Sequence, residues 1–420
     1  MGAALEAALR IHWARLVALL IGQYGRPDLV EDALAEAFAA ATRRWPVDGI
    51  PANPAGWLLT AARRRVVDQL RTEVVRRRAE PLMVVDARTR QLAEGADEPG
   101  DDLDEDVARL LLTCAHPALG PDARIALTLR FVVGLEAREI ARLLLVQEAT
   151  MAARLTRAKK RLAASGIPFA LPPDDRLPER LDVVATVLYL LFTSGYQPTH
   201  GDRPLRVDLA DEAIRLTRLV DAALPGHAVV RALLALLLLQ HSRRDARLDE
   251  AGDLVLLPEQ NRARWDRRAI AEALTILDAL PPSTGQAEEY RLQALIAAEH
   301  ARAPTSAETR WVVIADLYAE LERRTLSPLV RLARAVAVAE HDGPEAGLAL
   351  LEDLDLALPR HHRLPAVRAE LLLRADQPDA AVEQLDRALV LVTAPTERRH
   401  LERRRAGALE RSSSPDAAGR

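Results

Sequence analysis

Apolar residues recur at helical spacing along almost the whole chain. Leu5, Leu9, His12/Trp13, Leu16 and Leu19/Leu20 mark one stripe. Leu29, Ala33, Ala37 and Ala40/Ala41 mark a second over about 27–44, with Asp28, Glu31, Asp32 and Glu36 off the stripe. Leu59, Ala62, Val66 and Leu70 mark a third over about 54–78. It is entered through Asn53-Pro54, an N-cap residue followed by proline at the first helical position. The intervening Trp45–Pro54, with three prolines and a glycine, is expected to be non-helical. The helical pattern resumes over 107–165, with breaks at His116-Pro117, Gly120-Pro121 and Gly134. There Glu139–Leu145 predicts a short helix, Val146-Gln147 a turn, and Glu148 the cap of a second helix. Ile140, Leu144, Met151, Leu155 and Leu162 form the buried set, which is the layout of a helix-turn-helix. Residues 179–408 continue as Leu/Ala-rich helices, and the leucine run Ala232–Leu239 predicts a buried one.

Changes in composition divide this pattern. A basic helical segment, 1–85, is followed by an acidic stretch, 86–106, with nine acids against two bases, whose centre is expected to be a solvated, flexible linker. A second helical domain covers 107–170 and ends in a Pro/Gly cluster. A helical extension covers 171–410, and a Ser/Pro/Gly-rich tail, 411–420, is expected to be disordered. Within the extension, 332–346 aligns with 366–380 at an offset of 34. Pro344 matches Pro378, Ala346 matches Ala380, Leu348 matches Val382 and Leu351 matches Leu385. That is the period of tetratricopeptide (TPR) units, stacked helix pairs that bury their faces only against neighbours. The helices at 208–221 and 311–323 are candidates for degenerate copies.

The fold class predicted is all-α. Few aromatics (5 Trp, 5 Tyr, 4 Phe) and 19 glycines in 420 residues leave Leu, Ala and Val to build helical cores. One cysteine, Cys114, excludes an internal disulfide framework and a multi-cysteine metal site, and is expected to be a small buried apolar residue. The longest apolar run, Val183–Phe192, is too short to span a bilayer, so the expectation is a cytoplasmic protein that does not enter a membrane. No phosphate-binding glycine loop, nucleophile elbow, paired carboxylates or HExxH pattern occurs, so neither catalysis nor a cofactor is expected. His361-His362 reads as solvated and Trp265 as a helix-packing anchor.

A net charge of −4 puts any affinity for nucleic acid in local patches. Arg63, Arg64, Arg65, Arg71, Arg76, Arg77 and Arg78 face only Asp68 and Glu73. Their forked guanidinium groups suit phosphates. Arg154, Arg157, Lys159, Lys160 and Arg161 cluster where no acid occurs between Ala149 and Pro173, on the helix that would enter a major groove. Two small basic domains on a tether make a bipartite DNA reader, in which the first contact raises the effective concentration of the second.

An ordered set of motifs resembles the bacterial sigma factors of the extracytoplasmic-function (ECF) type, in the group with a long C-terminal helical extension. It comprises Leu29-Val-Glu-Asp-Ala-Leu-Ala-Glu-Ala-Phe38, Trp45-Pro, Asn53-Pro-Ala-Gly-Trp-Leu-Leu59, and Ala62-Arg-Arg-Arg-Val-Val-Asp-Gln-Leu-Arg71. It continues through Leu112–Leu119, Glu139–Arg142, Ala149–Leu162 and Gly166–Phe169, with Arg262-Ala-Arg-Trp-Asp266 and Gln293–Ala298 in the extension. The resemblance implies two partners, core RNA polymerase and promoter DNA. Glu31, Asp32, Leu34, Glu36 and Phe38 match the surface that docks on the clamp helices of the polymerase's largest subunit. The loop 45–56 matches the one that captures a base flipped from the −10 element, with Asn53 and Trp57 as its readers. Arg63, Arg64, Arg65 and Arg71 would hold strand phosphates. Thr150, Arg154, Arg157 and Lys160 would sit on the −35 element. Many ECF factors carry a basic-plus-polar pair where this chain has Ala152-Ala153, so readout there leans on thymine methyls and DNA shape. The extension is expected to regulate, through a partner or by a contact in cis. Two other readings stay open on the residues alone: a helix-turn-helix regulator with a TPR-like sensor, and a repeat scaffold with a vestigial N-terminal half.

Overall fold

The computed structural model describes residues 2–77, 103–144, 146–167, 169–196, 207–250, 253 and 255–413. Among them the regular structure is helical apart from one isolated bridge. Two compact units form: Met1–Leu191 with Arg215–His227, and Phe192–Ile214 with Ala228–Arg420.

The first unit opens with α1 (Gly2–Tyr24), α2 (Pro27–Asp48) and α3 (Pro54–Arg77). These pack against one another around Val17, Leu20, Val30, Leu34, Leu58 and Val66. Asn53 caps α3 as predicted, its Oδ1 accepting the Gly56 N–H at 2.9 Å. The proline-rich segment is a correction. α2 runs through Trp45 and Pro46 to Asp48 before Gly49, at φ 85°, turns the chain. A proline in the last turn forfeits one hydrogen bond. Burial of Trp45 and the Gly49 N–H bond to the Trp45 carbonyl hold that turn nonetheless.

The same unit contains α4 (Leu103–Cys114), α5 (Pro121–Phe131), α6 (Ala137–Leu143) and α7 (Glu148–Ala164). α4 overruns the predicted linker by four residues. Glu105 and Asp106 favour a helix N-terminus and pair with Arg109 at 2.5 and 2.8 Å. The rest of that linker, and Arg78, lie outside the described residues. α6 and α7 form the expected helix-turn-helix, with Gln147 rather than Glu148 as the cap of α7. Ile140, Met151, Leu155 and Leu162 are buried, while Leu144 is half-buried. α7 packs on α5 and on α2, and α1 on α4 and α5, so the two basic domains share one body.

α8 (Leu177–Gly195) and α9 (Val207–Ala223) follow. The second unit then builds from α10 (Ala228–His241), α11 (Arg267–Asp278), α12 (Gly285–Arg302) and α13 (Trp311–Thr325). Ala232–Leu239 is buried throughout, as predicted. It continues as α14 (Pro328–Asp342), α15 (Pro344–Ala349), α16 (Leu354–Ala357), α17 (Arg363–Arg374), α18 (Pro378–Leu391) and α19 (Pro395–Ser412). Apolar clusters succeed one another along the chain: Leu292 to Ala337, Leu332 to Leu371, then Ala369 to Ala408. This is the neighbour-on-neighbour burial of a repeat array.

The matched prolines Pro344 and Pro378 both open the second helix of a pair. α19 adds a further step, because Glu340 pairs with Arg374 and Glu370 with Arg404, each 34 residues on. Gly347 sits where α15 meets α14: a Cβ there would lie 2.6 Å from the Ala339 Cβ. The predicted tail starts later than 411, since α19 reaches Ser412; residues 414–420 lie outside the described set.

Candidate functional site

The candidate residues lie on α2, α3 and α7, and the fold gives them unequal roles. On α2, Leu34 is wholly buried and holds the helix in the core. Asp32 and Glu36 are exposed, and Glu36 pairs with Arg65 of α3 at 2.6 Å. Phe38 is half-buried against Trp13, with ring centroids 5.4 Å apart. It lines a cleft of about 450 Å³ with Trp13, Thr42, Val133 and Leu135.

Glu31 departs most from a solvated face. It is 6% exposed. Its Oε1 accepts from Arg130 Nε at 2.8 Å and also from the Arg130 Nη2, and its Oε2 accepts from Lys159 Nζ at 2.6 Å. Lys159 also reaches Asp32 at 3.3 Å. These partners lie 99 and 128 residues away, on α5 and α7. Arg130 is itself held in place. Its guanidinium lies 5.3 Å from the Trp13 ring centroid, its Nη1 donates to the Leu135 carbonyl at 3.0 Å, and its own carbonyl accepts from Trp13 Nε1 at 3.0 Å. Gly134, at φ 78°, lets the turn close on Trp13, where a Cβ would come within 3.1 Å of the ring.

Burial pushes the Glu31 carboxyl up, but Arg130 and Lys159 hold it below the ordinary glutamate value of 4.5. Burial pulls Lys159 down, and Glu31 with Asp32 lifts it above its ordinary 10.5. A carboxyl held low stabilises above its unfolded pKa, and that stability is lost as the pH falls through the folded value. An ammonium held high stabilises below its unfolded pKa, and that stability is lost as the pH rises. The contact is therefore fully charged between about 4.5 and 10.5.

On the α3 side, Trp57 meets buried Trp45 edge-on at 5.6 Å, and Asn53 is exposed at the cap. Val47 and Ile50 are 84% and 59% exposed in the adjoining segment, an apolar lip that the sequence reading missed. Apolar residues within a Pro/Gly segment were its signal. Arg63 donates to Gln23 Oε1 at 3.1 Å, Arg64 is exposed, and Arg71 lies 4.0 Å from Asp68. On α7, Thr150, Arg157 and Lys160 are exposed, and Arg154 pairs with Asp122 at 3.0 Å. The fold thus gathers Thr150, Arg154, Arg157 and Lys160 along one helix and turns Lys159 away from them toward Glu31.

Elsewhere, Cys114 is buried as expected, which raises its thiol pKa. His361 is not simply solvated. It stacks on His362 at 5.7 Å and lines a cleft of about 380 Å³ with Leu332, Val336 and Leu385, because α17 and α19 fold over it. Among the described residues no cluster of His, Cys, Asp or Glu suits a metal, and no helix is long and apolar enough to cross a membrane.

Comparison with known proteins assigns these regions. Residues 9–75 match sigma-70 region 2, residues 109–162 match sigma-70 region 4, and residues 180–281 match a family of unknown function, DUF6596. The chain is 42% identical over 381 residues to the uncharacterized protein R00370 of Rhizobium meliloti (strain 1021), across 90% of this chain and 89% of that one. It is 29% identical over 170 residues to the probable ECF RNA polymerase sigma factor SigI of Mycobacterium tuberculosis, in strains CDC 1551 / Oshkosh and ATCC 25618 / H37Rv. That match covers 40% of this chain and 57% of the relative. No solved structure matches.

Proposed function

Because the chain belongs to the sigma-70 family, as an ECF-type sigma factor with a helical C-terminal extension, we propose how its surfaces divide the work of initiation. Sigma factors are initiation factors that bind RNA polymerase and promoter DNA, and the chemistry of RNA synthesis belongs to the polymerase. The observation that carries the reading is the order of regions 2 and 4, with cationic side chains exposed on α3 and α7. A free-standing repressor would leave region 2 without a role. Such work places the protein beside polymerase in the cytoplasm.

The exposed part of α2, with Asp32, Glu36 and Phe38, is the proposed dock for the clamp helices of the largest polymerase subunit. Asn53 and Trp57, beside the lip of Val47 and Ile50, would receive a −10 base, whose flipping costs a few kcal/mol that stacking and edge hydrogen bonds offset. Arg63, Arg64, Arg65 and Arg71 would follow the strand's phosphates, and Arg65 would first release Glu36. Thr150, Arg154, Arg157 and Lys160 would engage the −35 element, and Arg154 would exchange Asp122 for phosphate.

The Glu31–Arg130–Lys159 contact ties the polymerase-docking helix to the −35 module. Docking that pulls on α2 strains the tie, so the free factor is a closed form and the polymerase-bound factor an open one. The extension regulates this cycle, through a partner or through its own chain. Reconstitution with purified core polymerase tests the reading. The full chain is expected to start transcripts at discrete sites on promoters from its own genome. The double variants Arg64→Ala/Arg65→Ala and Arg157→Ala/Lys160→Ala are expected to abolish those starts. Failure of the wild-type chain to direct any discrete start overturns the reading.

A further inference from the structure

Three arginines in the second unit converge with no carboxylate among the described residues to answer them. Arg247 stacks on Tyr196, its Cζ 4.1 Å from the ring centroid. Arg262 and Arg243 flank Trp265, at 4.9 and 6.0 Å from its centroid. Arg262 is 8% exposed and spends its Nη1 on two backbone carbonyls, those of His300 and Ala303. Arg243 and Arg247 share one neutral acceptor, Gln240 Oε1, at 2.6 and 3.4 Å. Arg247 Nε and Trp265 Nε1 are buried donors without an acceptor among the described residues.

The surrounding acids are committed elsewhere. Asp266 pairs with Arg244 at 3.3 Å and caps α11 through the Arg268 and Ala269 N–H groups. Asp211 faces His241 Nε2 at 2.9 Å, and His241 Nδ1 bonds the Tyr196 hydroxyl. That chain turns the Tyr196 hydroxyl aside and leaves its ring to Arg247. Glu308 acts on Arg262 only as a minor influence, behind Arg267. Burial, then Arg247, pushes the Arg243 guanidinium down to about 9, well below an arginine's ordinary value. Burial, then Arg243 and Arg262, pushes His300 down to about 4, so this imidazole is neutral and adds no counter-charge.

An arginine cannot escape such burial by giving up its proton at neutral pH, and unanswered buried charge is costly. An oxyanion with two or more acceptor oxygens reverses the balance, because it accepts forked bonds from guanidinium groups and takes up orphaned N–H donors. We propose that Arg243, Arg247 and Arg262, walled by Tyr196 and Trp265, form a binding site for the carboxylate or phosphate group of a small molecule. The site lies wholly within residues 180–281 and gives that stretch a ligand-sensing role, whatever the details of promoter binding.

Calorimetric titration and thermal melting of the full chain test this, with inorganic phosphate and citrate as separate probes against chloride at equal ionic strength. One probe is expected to bind saturably and to raise the melting temperature of the second unit by roughly 5 °C, and the probe that does so distinguishes phosphate from carboxylate chemistry. Arg243→Met is expected to melt no lower than wild type without a probe, since it removes an unanswered charge, and to lose the response. Arg247→Gln gives a second, independent loss of response. Arg157→Ala/Lys160→Ala, on the DNA-facing helix, is expected to keep it. The proposal is overturned if neither probe binds the wild-type chain. It is overturned equally if both second-unit variants retain the response, or if the response disappears with Arg157 and Lys160 instead.

Discussion

The Glu31 cluster in the first unit and the Arg243 cluster in the second are both cationic and at least half-buried, and both are braced by tryptophan. They differ in one respect. Around Glu31, Arg130 and Lys159 are answered by a carboxylate that accepts from both, and Asp32 takes the remainder. Around Arg243, the acceptors are an amide oxygen, backbone carbonyls and ring faces. A balanced buried cluster ties two elements together and is costly to break from one side. An unbalanced one is poised to take up the missing charge. The first therefore reads as a clasp between modules and the second as a receptor.

The largest expected effect breaks the balanced side. Arg130→Ala leaves Glu31 with Lys159 alone, removes the stacking on Trp13 and frees the Leu135 carbonyl. A loss of about 3–5 kcal/mol is expected in chemical denaturation of the first unit. Arg243→Met, matched in length at a half-buried position, is expected to cost nothing comparable. A similar loss from both variants would erase the contrast.

Acid sharpens the comparison next. His300 is neutral in the folded chain down to about 4 but takes a proton near 6.5 when unfolded. The unfolded state therefore binds more protons across that interval, and stability falls as the pH drops through it, by roughly 3 kcal/mol in all. The Glu31 cluster stays charged over most of the same range. Melting curves from pH 7 to pH 4 are expected to show the second unit weakening first, and Arg243→Met should soften the decline, because Arg243 is a principal repulsive charge on His300 after burial. Equal acid sensitivity of the two units would count against the assignment.

The smallest effect comes from the exposed pairs of the repeat array. Glu340 and Arg374 are about one-third exposed, and Arg374→Ala is expected to cost under about 1 kcal/mol by thermal melting. A cost as large as that of Arg130→Ala would mean that burial does not set the value of these pairs.

Much of this was legible in the residues. Helical periodicity located the helix-turn-helix, the Asn53 cap and the period of 34, because each rests on contacts close in sequence. Pro46 misled, since a proline in a last turn costs too little to stop a helix anchored by Trp45. Glu31 falls off the apolar stripe with Asp28, Asp32 and Glu36, and its burial was not legible because its partners lie 99 and 128 residues away. Lys159 was counted with the DNA-facing bases for the same reason: helical phase, and not local composition, turns it from Arg157 and Lys160 toward α2. Arg262 and Trp265 were visible as a motif. That their surroundings lacked an acid depended on how α10, α11 and α12 assemble, which composition does not encode.

The clasp is tested most directly by measuring the affinity of Lys159→Ala for purified core RNA polymerase beside wild type, in a fluorescence titration at fixed salt. Lys159 lies off the exposed face proposed for DNA, and among the described residues its ion pairs run to Glu31 and Asp32, on the helix proposed to dock on polymerase. If the closed form competes with polymerase, the variant binds core several-fold more tightly, as expected when a binding-competent state no longer has to be released. Equal or weaker binding by a folded Lys159→Ala would contradict the account.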